Sequence, residues 1–171
     1  SPRLTDCCAG EIEHGPVNRR RVGKAIGARF RSAQCQQQWQ LYFSQSQLYQ
    51  KKWQKPFALL IAPSKEAVYP QFHPQPRASL TAIELLLALT PEGYPLVYPQ
   101  SQLQAATSPS FPKTDTHWTT FGASLATVEL AVQLGLSRPE VTAVFAEDHY
   151  REFSQCGDLG NKLFPQQRAN E

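Results

Sequence analysis

The chain has 171 residues, of which 41% are hydrophobic and 18% charged, with a formal net charge of +3. It is long enough to bury a core without disulfides or a structural metal, and one domain is the expectation at this length. The charge excess is too small to indicate a nucleic-acid partner. No apolar run reaches the ~20 residues that cross a bilayer, and the N-terminus lacks the basic, apolar and small-residue order of a signal peptide.

Residues 1–17 hold Pro2, Gly10, Gly15 and Pro16 with no apolar period and read as an irregular lead; residues 18–171 are expected to form the domain proper. From Asn18 to Lys55 the spacing of four between Val22, Ile26 and Phe30, and again between Trp39 and Phe43, predicts helix, weakened early by Gly23 and Gly27. The basic residues around Arg19–Arg21 suit a solvated helix face, and the glutamines read as surface composition. Phe57–Ala62 is a continuous apolar run closed by Pro63, the pattern of a buried parallel strand. Open α/β sheets place ligands beyond such carboxyl ends.

Ser79 or Thr81 can cap a helix running to Thr90, with Ile83, Leu86 and Leu87 on one face and Glu84 in its first turn. Pro95–Tyr98 is a second strand, and Ser101–Ala106 a brief helix. Phe121, Leu125, Val128, Val132 and Leu136 recur at intervals of four and three, which predicts a helix capped by Thr119 or Thr120 and ended by Gly135 and Pro139. Val141–Phe153 reads as a short helix followed by a strand, and a further turn can begin at Asp158. The alternation predicts an α/β fold with a mainly parallel sheet, although two strands are too few to complete one.

The loop before the long helix holds the chemistry. Asp115 and His117 are two apart, so an extended backbone projects both side chains to one side. The carboxylate can then accept the Nδ1 proton and leave Nε2 free as a general base. Trp118 beside them can shield the pair. The same residues also suit a turn and a helix start without catalysis. Cys7, Cys8, Cys35 and Cys156 lack zinc-site spacing, His14, His73 and His149 are scattered, and no metal site is expected. Ser64 lacks the surroundings of a nucleophile elbow, Lys65 could bind an anion but reads rather as an exposed loop lysine, and Glu147–Asp148–His149 as a charged surface patch. There is no glycine-rich nucleotide loop.

Lys113–Thr119 with Gly122 and Ala123 resembles the D-T-H-W-T-x-x-G-A signature of the alginate O-acetyltransferase AlgX/AlgJ-like family, a branch of the SGNH hydrolase superfamily. Ala62-Pro63-Ser64-Lys65 with Val68-Tyr69-Pro70 is similar to the A-P-x-K-x-x-V-Y-P element of that family, and Gly157-Asp158-Leu159 to its G-D-L turn. The resemblance covers about Leu48 to Leu163. It implies a partial SGNH-hydrolase-like (flavodoxin-like) three-layer fold and transfer of acetyl groups to exopolysaccharide hydroxyls in the periplasm. The machinery would be a Ser-His-Asp triad without a cofactor, with Asp115 as the orienting acid, His117 as the general base and Trp118 as a substrate contact. The partners implied are a polysaccharide acceptor, an acetyl donor and a membrane-bound acetyl-transfer protein.

The chain departs from the family pattern in one respect: it has no Gly-Asp-Ser block. The expectation is a fragment whose nucleophile lies in a further C-terminal segment, which the absence of methionine and the start at Ser1 also suggest. On that expectation the fragment alone is inactive and its sheet has an open edge. A non-catalytic carbohydrate-binding or scaffold protein, using aromatics such as Trp39, Trp53, Tyr69 and Trp118, and an SGNH-type acetylesterase are the alternatives.

Overall fold

A computed structural model of the chain describes residues 32–74, 80–149 and 157–159. The irregular lead, the helix expected before residue 32 and the strand expected after His149 lie outside these residues. The described fold is mixed α/β, mostly helical, with a small two-stranded parallel sheet. Its contacts divide into two compact units, Ser1–Lys55 with Arg77–Tyr94 and Pro56–Pro76 with Pro95–Glu171. Among the described residues no helix is long and apolar enough to cross a membrane.

In the first unit, α1 spans Ala33–Trp53. The Ser32 side chain caps it by accepting from the Cys35 N–H, and Lys51 and Lys52 lie in the last turn, where the helix dipole favours cations. The face that repeats at four places Trp39 5.9 Å from Phe43, and the fully buried Phe43 ring meets Tyr94 edge-on at 4.7 Å. Ser46 Oγ donates to the Phe43 carbonyl at 2.9 Å, so the 2.8 Å contact between Ser46 and Tyr94 has the phenol as donor. Helix α3, Ala82–Leu89, begins at a reciprocal cap in which the Thr81 N–H donates to Glu84 Oε2 at 2.7 Å and Glu84 N–H returns to Thr81 Oγ1 at 3.4 Å. Leu86 is buried but Leu87 is exposed, so only part of the predicted α3 face is covered.

In the second unit, β1 (Leu59–Leu60) runs parallel to β2 (Leu96–Val97), with Leu59 opposite Leu96. Bonds from Leu59 N–H to Pro95 O (2.8 Å) and from Ile61 N–H to Val97 O (2.9 Å) extend the pairing. The strands expected at Phe57–Ala62 and Pro95–Tyr98 are present, but β1 is half-buried rather than covered on both faces. Pro56, Pro63, Pro95 and Pro99 bracket the pair and keep it short, because proline cannot donate to a ladder.

Past β1, Ser64 caps the single turn α2 (Lys65–Val68), and a 3₁₀ turn follows at Pro70–Phe72. Beyond β2, α4 covers Gln100–Gln104. The side-chain amides of Gln100 and Gln104 both donate to the Ala67 carbonyl, at 2.8 and 3.0 Å, so two of the glutamines expected to be plain surface lock α4 to the end of α2. Val68, Leu103 and Phe111 form the buried cluster of this unit, flanked by Tyr69, Trp118 and Leu125.

Helix α5 spans Thr120–Gln133, and Thr119 is its cap. Its buried face overlaps the predicted stripe in part: Val128 is buried and Leu125 packs on the core cluster, but Gly122, Ser124, Ala126 and Ala131 are buried too, and Leu136, past the helix end, is exposed. At Gly122 it is backbone that packs against the helix. A Cβ on Gly122 would stand 2.5 Å from the Ser110 carbonyl oxygen and 3.1 Å from its Cα. Pro139 does not merely stop this helix; it lies in the first turn of α6, Arg138–Ala146. Arg138 forks onto the Glu129 carboxylate of α5 at 2.7 and 2.8 Å, which pulls the Glu129 carboxyl below its usual range.

Because backbone occupies the space above Gly122, Gly122→Ala should destabilise the second unit by about 1–3 kcal/mol, as overpacked sites do. Urea unfolding followed by tryptophan fluorescence measures it, and an unchanged midpoint would show that the Ser110 backbone yields freely.

Candidate active site

The motif loop is closed at its base. Thr119 N–H donates to the Ser110 carbonyl at 2.9 Å, Thr119 Oγ1 donates to the Pro109 carbonyl at 2.9 Å, and that same oxygen accepts the Gly122 N–H at 3.0 Å as the α5 cap. Ser110 is buried, with its hydroxyl on the Leu103 carbonyl (2.7 Å) and its N–H on the Tyr69 hydroxyl oxygen (2.8 Å). Phe111 and Trp118, at the two ends of the loop, meet edge-to-face at 6.4 Å and 83°. Trp118, expected to contact substrate, is half-buried and packs on the Val68–Leu103–Phe111 cluster.

Inside this closure Asp115 Oδ1 accepts twice from His117, from the backbone N–H at 2.8 Å and from ring Nδ1 at 2.7 Å. The first bond is the turn-forming contact of an aspartate with the residue two on. The second holds the proton on Nδ1 and leaves the Nε2 lone pair free. The turn reading and the acid-base reading of the sequence are therefore satisfied by one oxygen. The His117 side chain is 81% exposed and that of Asp115 only 18%, so the imidazole faces solvent from a half-buried support. The two hydrogen bonds from His117, the backbone one foremost, hold the Asp115 carboxyl below its ordinary range.

Two further groups position the pair, and neither has a role that the sequence makes legible. Lys65 is half-buried rather than an exposed loop lysine. Its Nζ donates to three loop carbonyls, those of Pro112, of Lys113 (2.8 Å) and of Asp115 (3.0 Å). From the other side the Gly157–Leu159 turn docks on the loop. Gly157 N–H donates to Thr114 Oγ1 (2.9 Å), Leu159 N–H to the Thr114 carbonyl (2.8 Å) and Asp158 N–H to Asp115 Oδ2 (3.4 Å). The Asp158 carboxylate accepts from Thr116 N–H at 2.8 Å and from Thr116 Oγ1 at 2.7 Å. Those Thr116 bonds, the hydroxyl one first, lower the Asp158 pKa. A Cβ on Gly157 would collide with the Thr114 carbonyl and stand 2.7 Å from Asp115 Cβ.

The ligand atoms of Asp115, His117 and Asp158 lie within 4.8 Å of one another, but N–H and O–H donors engage the carboxylate oxygens. Within the cluster Asp115 orients the imidazole. The other candidates lie elsewhere: Ser64 Oγ caps α2 by accepting from Ala67 N–H, His73 is exposed after the 3₁₀ turn, and Glu147–His149 is exposed past α6. His14 lies outside the described residues. Of the aromatics named for sugar binding, Trp53 is exposed, with Lys52 Nζ 5.4 Å from its ring centre, while Trp39 and Tyr69 are half-buried. No known protein family model matches the chain, and comparison with curated proteins and with solved structures also finds no match.

Lys65→Met keeps the stem but removes three donors from the loop carbonyls. Unfolding free energy should fall by about 2 kcal/mol, the scale of hydrogen bonds from a charged donor, and denaturant titration reads it.

The lowered pKa of Asp115 gives a second expectation. Its contribution to docking is fully present above the unfolded value, about 3.9, and is lost as the pH falls through the lower folded value. The side-chain carboxyl-carbon signal of Asp115 should show its own protonation step only below about pH 4. An Asp115→Asn chain would lack that transition.

Proposed function

We propose that Asp115 and His117 are the acid-base half of an O-acetyltransferase site in a protein of the SGNH-hydrolase type, acting on hydroxyls of an exopolysaccharide in the periplasm. The observation that carries the reading is the 2.7 Å bond from His117 Nδ1 to Asp115 Oδ1 with the imidazole otherwise open to solvent. The parallel β1–β2 pair, with the A-P-S-K element directly after β1, supports the α/β arrangement that such a site requires.

In this mechanism His117 Nε2 takes the proton from a serine hydroxyl as its oxygen attacks the carbonyl carbon of an acetyl donor. The proton then passes to the leaving oxygen of the donor and an acetyl-serine forms. A sugar hydroxyl enters, Nε2 removes its proton, and attack on the acetyl-serine forms the new ester; the proton returns to serine. Among the described residues Asp115 is the hydrogen-bond partner of the imidazole. The serine is assigned to a segment outside them. The exposure of His117 also favours water as a competing acceptor, which would make the protein an acetylesterase.

The test is acetyl transfer from an activated acetyl ester to a hydroxyl-rich polysaccharide by the protein translated from its complete reading frame. His117→Ala and Asp115→Asn should each lower the rate by about 10²- to 10⁴-fold, the usual scale of general-base help and its orientation. Transfer that survives His117→Ala overturns the reading. Ester release that polysaccharide does not divert from water favours the esterase.

A further inference from the structure

We propose that Asp158 is a positioning residue for the Asp115–His117 pair, which it holds in register through Thr116 without touching the imidazole. The inference deepens the acetyl-transfer reading and rests on it for its functional meaning, but the geometry it describes can be measured without any reaction.

Thr116 is the one residue between the acid and the base, so its backbone conformation determines whether Asp115 Oδ1 meets His117 Nδ1. Asp158 fixes that residue at two points, with Oδ1 on the Thr116 N–H at 2.8 Å and Oδ2 on its hydroxyl at 2.7 Å. A carboxylate that accepts from a backbone donor and a side-chain donor of one residue restrains both its peptide plane and its χ1 rotamer. The Asp158 N–H reaches Asp115 Oδ2 at 3.4 Å, on the oxygen that His117 does not use. Asp115 thus receives donors on both oxygens, which opposes rotation of the carboxylate away from the ring.

The turn cannot be displaced without loosening this arrangement. Gly157 sits so close that a side chain there would overlap the Thr114 carbonyl and approach Asp115 Cβ, and flanking bonds from Gly157 and Leu159 N–H fasten it to Thr114. Glu84 makes a similar double contact to Thr81 in a helix cap; what sets Asp158 apart is that the residue it grips lies between the acid and the base. Asp158 also lies near Asp115, and two carboxylates repel. The arrangement persists because Thr116 and the turn supply the donors.

The experiment is nitrogen and carboxyl-carbon NMR on the full chain, comparing wild type with Asp158→Ala, Asp158→Asn and Thr116→Val, each first checked for retained helix content by circular dichroism. In wild type the neutral His117 ring should favour the Nδ1–H tautomer, against the Nε2–H preference of a free histidine. Asp158→Ala should shift the ratio toward Nε2–H roughly threefold, the scale of one net hydrogen bond. Asp158→Asn should restore much of it, because the carboxamide can still accept from the Thr116 N–H and donate to its hydroxyl. Thr116→Val should move the ratio the same way by a smaller factor, and it remains informative if the alanine variant unfolds.

The Asp115 carboxyl gives the sign that separates positioning from simple repulsion. Removal of a neighbouring negative charge would lower its pKa, whereas release of the clamp raises it toward the ordinary carboxylate value. A folded Asp158→Ala chain with an unchanged tautomer ratio, or with a lowered Asp115 pKa, overturns the proposal. Transfer lost in His117→Ala but untouched in Asp158→Ala would also overturn it while leaving the acetyl-transfer reading intact. A freed tautomer together with transfer that survives His117→Ala would support the clamp and overturn the reading.

Discussion

The arrangement around His117 depends on one ammonium group. A loop such as 107–118, with prolines at 109 and 112, cannot pair its carbonyls in a ladder, yet carbonyls drawn away from water need donors. Lys65 meets that need at three places with the three N–H groups of a single side chain. Its position in α2 makes the point sharper. α2 is a single turn, and Lys65 at its start points its ammonium away to the loop. Lys65 begins α2 three residues after Ala62, so its reach to the loop carbonyls ties the motif loop to the end of β1.

Once the loop is fixed to the sheet end, the acid-base pair needs little from its own residues. Asp115 forms the turn and orients the ring through one oxygen, which is possible because a residue two positions on presents its N–H and its Nδ1 to the same side. Local bonds of this kind are weak when exposed, since water competes for every partner. What holds them is the surrounding scaffold: the Ser110–Thr119 closure at the base, the Phe111–Trp118 ring pair across it, and the Gly157–Leu159 turn at the tip.

The sequence made visible what depends on local order and hid what depends on distant backbone. Both strands, the capping box at Thr81 and Glu84 and the Thr119 cap follow from short patterns of apolar, β-branched and capping residues. The Asp115–His117 pair follows from a spacing of two. The inward face of α5 follows only in part from its pattern: Leu125 and Val128 of the apolar stripe pack inward, but periodicity weights large apolar residues and does not mark Gly122, which admits the Ser110 backbone. Lys65 was unreadable for a related reason: its partners are carbonyls, which every residue possesses and no motif marks. Asp158 lies 42 residues from Thr116, so only the fold reveals the contact.

The two glycines nearest the site clarify how the support is built. Neither Gly122 nor Gly157 has a positive φ; the described glycines that do are Gly93 and Gly135, where an added Cβ would meet open space. At Gly122 and Gly157 it is space that a side chain lacks, one where α5 meets the base of the loop and the other where the distant turn meets its tip. Close backbone approach at both ends leaves the support with little freedom to shift, while the imidazole it carries stays exposed. That combination is chemically apt for an acceptor too large to be enclosed. A small substrate can be oriented by a pocket that closes around it, but a polysaccharide hydroxyl must be met at the surface, so the precision has to reside in the base beforehand. On the acetyl-transfer reading, this backing orients the imidazole before an acceptor arrives.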